Sequence, residues 1–392
     1  MTGGRWRGGI ALVVAGTLGT VVGCKGKEGG AGGGAVAKIT ITPTNDARAD
    51  ARTFLAQLCP QPIGGELNFM VWEGYTDTLF AKPFEEQCGV KLNSTYMGTS
   101  DELVSKLRAG GSETIDLISP SSDAVTQIIT VGLAAPLDLT RIPSYMDLMA
   151  SFRTLSLVHR GDSVFGVPWA FGPNPLVYDT TVVKPAPTSW SILYDPKYRG
   201  KISMQDDIST LWMVAQLMGM DDPADRGHLY SLSDDDLNKV HGRALALRPQ
   251  IRKYWATAGD MTQLFKSHEI VMGEGWPLMV AQLQSEGFPA GQVIPKEGTT
   301  AWADHWVMTR GAKNLRAAYA WLEYTAQPFT QKLLADVTAY YVANPGARHY
   351  MTVDAAAQQR DIADYGSSVN FWQWGTKRDK YQEIWNQVKA GQ

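Results

Sequence analysis

The sequence predicts an α/β protein, and three observations carry that prediction. From Leu67 onward, short apolar strands alternate with helical stretches of roughly ten to fifteen residues, the signature of a parallel sheet covered on its faces. After residue 23 no long apolar run interrupts the chain. Two extended, Pro/Gly-punctuated passages near residues 175 and 298 suggest two lobes joined by paired crossings.

The first element is a leader. Arg5 and Arg7 form a positive n-region, and Ile10 to Gly23 is uncharged and rich in Ala, Val, Leu and Gly. That run ends Val21-Val22-Gly23-Cys24, small or apolar residues followed by a thiol, as a bacterial lipoprotein pathway requires for cleavage and acylation. Val21 stands where such boxes most often carry Leu. An uncleaved anchor and an ordinary secretory signal are the alternatives, but about fourteen apolar residues fall short of the roughly twenty that cross a bilayer. Residues 1–23 are therefore read as a lipoprotein signal peptide and Cys24 as the lipidated residue. Lys25 to Gly34 has no hydrophobic side chain larger than alanine and cannot order itself by burial. Residues 24–64 are expected to be a flexible tether and N-terminal extension.

Composition narrows the function. Removing residues 1–23, which hold Arg5 and Arg7 and no acid, takes the formal charge from −3 to −5. A mildly acidic body is a poor grip for nucleic acid or an anionic membrane surface and weakly attracts a cation. With Cys24 acylated, Cys59 and Cys88 remain. In an oxidising compartment two thiols suggest one disulfide, the alternative being two separate buried cysteines. Neither belongs to a CxxC, which argues against zinc.

The body opens with a strand at Leu67–Trp72, a helix over Thr76–Gln87 and a strand over Val90–Met97. Next come a helix for which Asp101 is the candidate cap, a strand at Asp116–Pro120, and a helix over Asp123–Val131. Gly166–Pro175 breaks the rhythm before the extended Leu176-Val177-Tyr178, and Ile294–Gly298 does so again before Trp302. The expected division is residues 65–176 with 302–348 for lobe 1, and 177–301 with 349–392 for lobe 2.

Catalytic signatures are missing from the sequence. Its six histidines fit no zinc spacing, and GxSxG, P-loop and GxGxxG patterns are absent. Asp234-Asp235-Asp236 follows Ser231-Leu232-Ser233 and reads as a solvated helix start favoured by the helix dipole. What remains is aromatics beside acids. Tryptophan outnumbers phenylalanine, 13 to 11, although Phe is the usual core filler and Trp the residue with a polar handle. Trp72-Glu73-Gly74-Tyr75, Glu274-Gly275-Trp276 and Trp302-Ala303-Asp304 fall at strand ends or loops, where open α/β sheets bind ligands. Indole faces attract an ammonium and cover methylenes, while a carboxylate neutralises the charge.

At these residues the chain resembles the polyamine-binding (spermidine/putrescine) proteins of bacterial ABC importers, from about Leu67 to Gly391. The landmarks are Val71-Trp72-Glu73-Gly74-Tyr75, Pro187-Thr188-Ser189-Trp190 with Asp195–Gly200, Leu247–Arg252, Ile294–Gly298 and Gly311–Asn314. The resemblance implies a two-lobed periplasmic-binding-protein fold of type II that closes on its ligand. It also implies that Trp72 and Tyr75 pack on ligand methylenes, with Trp276, Trp302 and Tyr340 as further aromatic walls. Asp304 would hold the main ammonium, Asp207 would contact a second amine, and Ser121 and Gln373 would add polar contacts. Departures accompany these matches. Thr210 replaces a glutamate, Asp123 stands where an aromatic often lies, and Glu73 replaces a small polar residue and joins the candidate site. Glu274 shares the strand parity of Trp276.

The implied protein is a lipid-anchored, extracytoplasmic receptor at the periplasm or cell surface. It would act as a monomer, deliver a small cationic solute, in the first place a polyamine, to an ABC permease, and use no catalysis, cofactor, metal or nucleic acid. Two rivals stand beside it: the same fold with another amine, an amino-acid-like compound or a metal complex, and an exported enzyme or interaction protein.

Overall fold

The structure, a computed structural model, describes residues 36–392. The expected signal peptide, the expected lipidation site Cys24 and most of the expected tether lie outside the described residues. The first three predicted strands are present as β1 (Glu66–Val71), β2 (Lys91–Tyr96) and β3 (Leu117–Ile118), with β1 paired in parallel to both neighbours. Asp77 caps the helix Thr78–Cys88, its carboxylate accepting from the Leu79 amide at 2.8 Å. The next helix, Ser100–Arg108, is capped by Thr99, which leaves Asp101 in the first turn with its carboxylate free for another partner. The three acids Asp234–Asp236 do form a helix start, capped by Ser233.

A small hairpin of β4 (His159–Arg160) and β5 (Ser163–Val164) precedes β6 (Gly166–Pro173), which is buried along its whole length. The chain then leaves the first sheet. β7 (Leu176–Asp179), β8 (Ile202–Gln205), β9 (Ile251–Trp255), β10 (Met272–Glu274) and β11 (Ala290–Val293) form a second sheet in the order β11-β7-β10-β8-β9. β12 (Thr300–Met308) returns to the first sheet and is joined there by β13 (Tyr341–Val342) and β14 (Asn370–Phe371). The order is β13-β6-β12-β3-β1-β2, with β14 alongside β12. Each sheet pairs a parallel half with an antiparallel one, because the crossing strands run against the βαβ strands they join.

The two expected crossings therefore lie at Asn174-Pro175, between β6 and β7, and at residues 294–299, between β11 and β12. They are stitched together: Asn174 Nδ2 donates to Thr300 Oγ1 at 3.1 Å, and the Asn174 amide to the Thr300 carbonyl at 3.0 Å. Residues 349–392, expected in lobe 2, divide between the sheets. β14 pairs with β12 in the first sheet, and Tyr365 packs on Phe171 and Tyr341. Only the last helix, Arg378–Ala390, packs against Asp234–Leu247 beside the second sheet. A third crossing at residues 372–377 links the two, and a two-residue strand carries too little pattern to reveal it in sequence.

The N-terminal extension is more structured than its composition suggests. Ala47–Leu58 is a helix capped by Asp46, with Phe54 buried against Phe329 at 5.5 Å. Cys59 and Cys88 are disulfide-bonded and fasten this helix to the end of Thr78–Cys88. Much of the tryptophan excess is core. Trp306 and Trp321 stand 5.7 Å apart with Phe69 and Phe84 around them, and Trp169, Trp190, Trp212, Trp255 and Trp385 are also wholly buried. Among the described residues no helix is long and apolar enough to cross a membrane.

Candidate functional site

Between the sheets lies a narrow, nearly closed slot of about 10 Å³ lined by Trp72, Tyr75, Ser121, Trp276, Trp302, Asp304, Tyr340 and Trp372. Most arrive from the end of an element, while Trp302 and Asp304 lie within β12. Trp72 follows β1, and a turn through Gly74, whose φ is 91°, brings Tyr75 to the same side. Ser121 precedes the helix Ser122–Thr130. Trp302 and Asp304 alternate on β12, so both side chains face one way. A Cβ at Gly172 on β6 would stand 2.8 Å from Trp302 Cζ2, so glycine there leaves space for the indole.

Tyr340 comes just after Ala339, which ends the helix Pro328–Thr338 in the left-handed region at φ 56°. A non-glycine residue held there is strained backbone of the kind that concentrates at functional sites. Trp276 comes from the second-sheet side, at the N-cap of the helix Pro277–Ser285. It meets Trp72 edge to face at 5.6 Å, while Trp302 meets Tyr340 at 4.5 Å. The walls are therefore interlocked aromatics from both sides.

Asp304 is the acid among the lining residues. Tyr75 donates its hydroxyl to Oδ2 at 2.5 Å, while Oδ1 is buried with no partner. Burial pushes the Asp304 carboxyl up to about 8, and the neighbouring Ser121 and Tyr75 side chains offset that only in part. Burial also raises the Tyr75 phenol well above its usual value, with the Asp304 charge adding to the effect. Trp72 Nε1 and Trp302 Nε1 are buried without partners too. Unpartnered indole nitrogens also occur at Trp169, Trp212, Trp306 and Trp321 outside the slot, so it is the orphaned Asp304 oxygen that marks the slot as a place for a polar guest.

The structure gathers seven of the ten expected ligand residues, Trp72, Tyr75, Ser121, Trp276, Trp302, Asp304 and Tyr340, around this slot. The other three lie elsewhere. Glu73 is half-buried beyond Trp72 and its Oε2 accepts from the Gly259 amide at 3.2 Å, at the start of the helix Ala258–Lys266. Gln373 is exposed and lines a neighbouring cavity with Ser122, Thr126 and Leu157. Asp207 is buried in a cleft with Asp101 and Arg378 and accepts from the Ser209 amide at 2.7 Å. Burial raises its carboxyl to about 6, opposed by Arg378. Thr210 spends its hydroxyl on the Gln205 carbonyl at 2.9 Å. Trp372, not foreseen, completes the slot, its Nε1 donating to Thr300 Oγ1 at 2.9 Å. The run Phe371-Trp372-Gln373-Trp374 was the available signal, one position away from the expected Gln373.

Glu274 ends β10 close by. Its carbonyl accepts from Trp255 Nε1 at 3.0 Å, and Trp255 meets Trp276 edge-on at 4.9 Å. Both carboxyl oxygens are buried without partners, and burial, reinforced by Asp207, lifts the group to about 8. Among the described residues no three or more His, Cys, Asp or Glu side chains are grouped to hold a metal ion.

The sequence profile of the bacterial extracellular solute-binding proteins matches residues 80–362, most of the chain. The protein belongs to this family. Among similar proteins is spermidine/putrescine-binding periplasmic protein 1 of Haemophilus influenzae, 22% identical over 88% of this chain and 95% of its own length. The putrescine-binding periplasmic protein PotF of Escherichia coli is 27% identical over 72% of this chain and 78% of its own. The solved TpPotD lipoprotein of Treponema pallidum superposes with a TM-score of 0.67 at 20% identity, covering 82% of this chain and 99% of that one. The family is one of extracytoplasmic solute receptors for transport rather than enzymes, and the two-sheet body with a slot between its halves is the architecture expected of it.

Proposed function

We propose that this solute-binding protein captures a small amine of the polyamine class and delivers it to an ABC permease, held at the membrane by a lipid on Cys24. One observation carries the ligand assignment: Asp304 presents an unpartnered buried oxygen in a slot otherwise walled by indoles and phenols. An ammonium supplies the missing hydrogen bonds and countercharge, and the aromatic faces suit both a cation and its methylenes. An anionic guest would instead meet the carboxyl and the negative faces of the rings. The names of the relatives, which specify putrescine and spermidine, point the same way.

In this reading Asp304 receives the ammonium, Tyr75 and Ser121 orient its carboxylate, and Trp72, Trp276, Trp302, Tyr340 and Trp372 sheath the chain. Glu73 acts at the rim, where its contact with the helix start at Gly259 fastens one side to the other. Asp207 and Gln373 stand outside the first contact layer. The two sides close as lobes about the crossings, since a ligand touching both stabilises the closed form by its differential affinity.

Calorimetry with putrescine tests the reading, and a saturable one-to-one heat is the expected result. Absence of binding by putrescine, spermidine and a monoamine would sink it. The anchor has its own test: acyl incorporation should vanish in Cys24→Ser, and an unmodified mature N-terminus in the natural protein would refute it.

A further inference from the structure

The two lobes also meet along a seam outside the slot, and Arg378 reaches across it. The last helix, which Arg378 opens, is fastened to the second sheet. Trp385 Nε1 and Lys389 Nζ both donate to Asp206 Oδ1, at 3.1 and 2.7 Å, and Trp385 meets Tyr254 of β9 edge-on at 5.0 Å. The acids that Arg378 faces stand on helices of the first sheet. Nε and Nη2 donate to the two carboxylate oxygens of Asp101 at 2.8 and 3.0 Å, a bidentate pair, and Nη1 lies 3.0 Å from Asp123 Oδ2. The arginine side chain is only 5% exposed. Its guanidinium rests on Trp374 of the adjoining crossing, at 4.1 Å, which presents the planar fork to the acids.

A backbone contact lies on the same seam. Gln205 Nε2, at the end of β8, donates to the Gly98 carbonyl at 3.2 Å, and Gly98 sits between β2 and the helix that carries Asp101. A Cβ at Gly98 would stand 2.9 Å from the Ala256 carbonyl oxygen beyond β9, so only glycine lets the two lobes come this close. None of Gly98, Asp101, Gln205 and Arg378 lines the slot. These contacts join protein groups alone and form without a guest. They favour the closed arrangement whether or not the slot is filled, and a ligand adds its own differential contacts to them.

We infer that Arg378 is a latch between the lobes: paired with Asp101 beside the close approach at Gly98, it holds the protein closed before a ligand arrives. Capture then begins with the latch opening, because the slot is nearly closed and admits no amine as it stands. Breaking the latch raises the open fraction, which speeds entry. It also weakens the closed complex, which speeds release still more. A residue that only supported the fold would not speed entry.

Small-angle scattering on the ligand-free protein tests this for the wild type, Arg378→Gln, Asp101→Asn and Gly98→Val, each checked for a cooperative melt. The wild type should have the smallest radius of gyration, and every folded variant should be expanded. A wild-type radius in any folded variant overturns the inference. Gly98→Val, a loop change, keeps that arm decisive if the charge variants do not fold. Stopped-flow mixing with putrescine is the second arm and rests on the amine reading. Association should be at least about tenfold faster in Arg378→Gln than in the wild type, with affinity about tenfold weaker. Unchanged or slower association overturns the latch as well. A wild type that binds no amine removes the amine reading instead, and the scattering result alone then decides the latch.

Discussion

Asp304 and Asp123 are both buried aspartates, yet the protein treats them in opposite ways. Asp123 accepts from Ser100 Oγ at 2.8 Å and faces Arg378, so the cation it requires is part of the fold. Asp304 has the Tyr75 hydroxyl on one oxygen, and the other has Ser121 nearby but no aligned hydrogen bond and no cation. Burial raises both carboxyls, but Arg378 opposes the rise at Asp123, and no cation does so at Asp304. Burial alone therefore does not identify a binding carboxylate. The missing partner inside the aromatic slot is the further mark, because a buried carboxylate without a countercharge is relieved only by a proton or by a guest cation.

Breaking each member should separate the two roles. Asp304→Ala should weaken putrescine binding by at least about thirtyfold, since losing one partner of a desolvated charge pair costs roughly 2–5 kcal/mol. Calorimetry reads the loss, and undiminished binding would show that Asp304 is not the ammonium site. The same change should not lower the melting temperature of the empty protein at pH 8, because it removes a buried acid that nothing neutralises.

Asp123→Asn should do the reverse. It leaves Arg378 with its bidentate partner Asp101 and the field of Asp207, and should cost about 1–2 kcal/mol of stability, since the cation stays paired. Chemical denaturation measures that loss. Putrescine affinity should stay within about threefold, as expected of sites with separate partners. A large loss of affinity without a loss of stability would exchange the roles of the two aspartates.

Proton linkage sharpens the contrast. The Asp304 and Glu274 carboxyls lie near 8 in the fold, against 3.8 and 4.5 ordinarily. A raised acid binds its proton more tightly folded than unfolded, so stability falls as pH rises between those values. The empty protein should melt at lower temperature as pH climbs from 5 to 8. Putrescine, which needs the carboxylate, should bind more tightly over the same range and release protons. Titrations in buffers of different ionisation enthalpy measure that release, and a flat pH profile would show that neither carboxyl is protonated in the ligand-free protein.

The smallest expected effect is at the rim. Glu73→Gln removes a charge from the start of the helix Ala258–Lys266, worth about 0.3–1 kcal/mol at an exposed helix terminus. Affinity should fall no more than about fivefold on that scale. A larger loss would move Glu73 from the rim into direct ligand contact.

Much of the site was legible in sequence because it lies at strand ends whose local pattern is strong. Trp72 follows a clear apolar strand, and Trp302 and Asp304 alternate within another. Trp372 was missed because the two-residue strand before it has no readable period. Asp101 was mistaken for a cap because Thr99, two residues earlier, makes the same kind of bond. Asp207 fell outside the slot because its carboxylate turns back to the Ser209 amide in a separate cleft beside Arg378.

The sequence by itself determined the alternation of strands and helices, the two Pro/Gly crossings, and the pair of cysteines left to join once Cys24 is set aside. These follow from side-chain periodicity, backbone restriction and thiol count, all of which act locally or by number. The tertiary structure alone decided which tryptophans fill the core and which line the slot, since both kinds occur in similar apolar contexts. It also decided which buried acids are neutralised. Arg378 and Asp101 are 277 residues apart and meet only when the last helix crosses back to the first lobe. Charge pairing acts through space, so only the folded chain shows which carboxylate remains open to a guest.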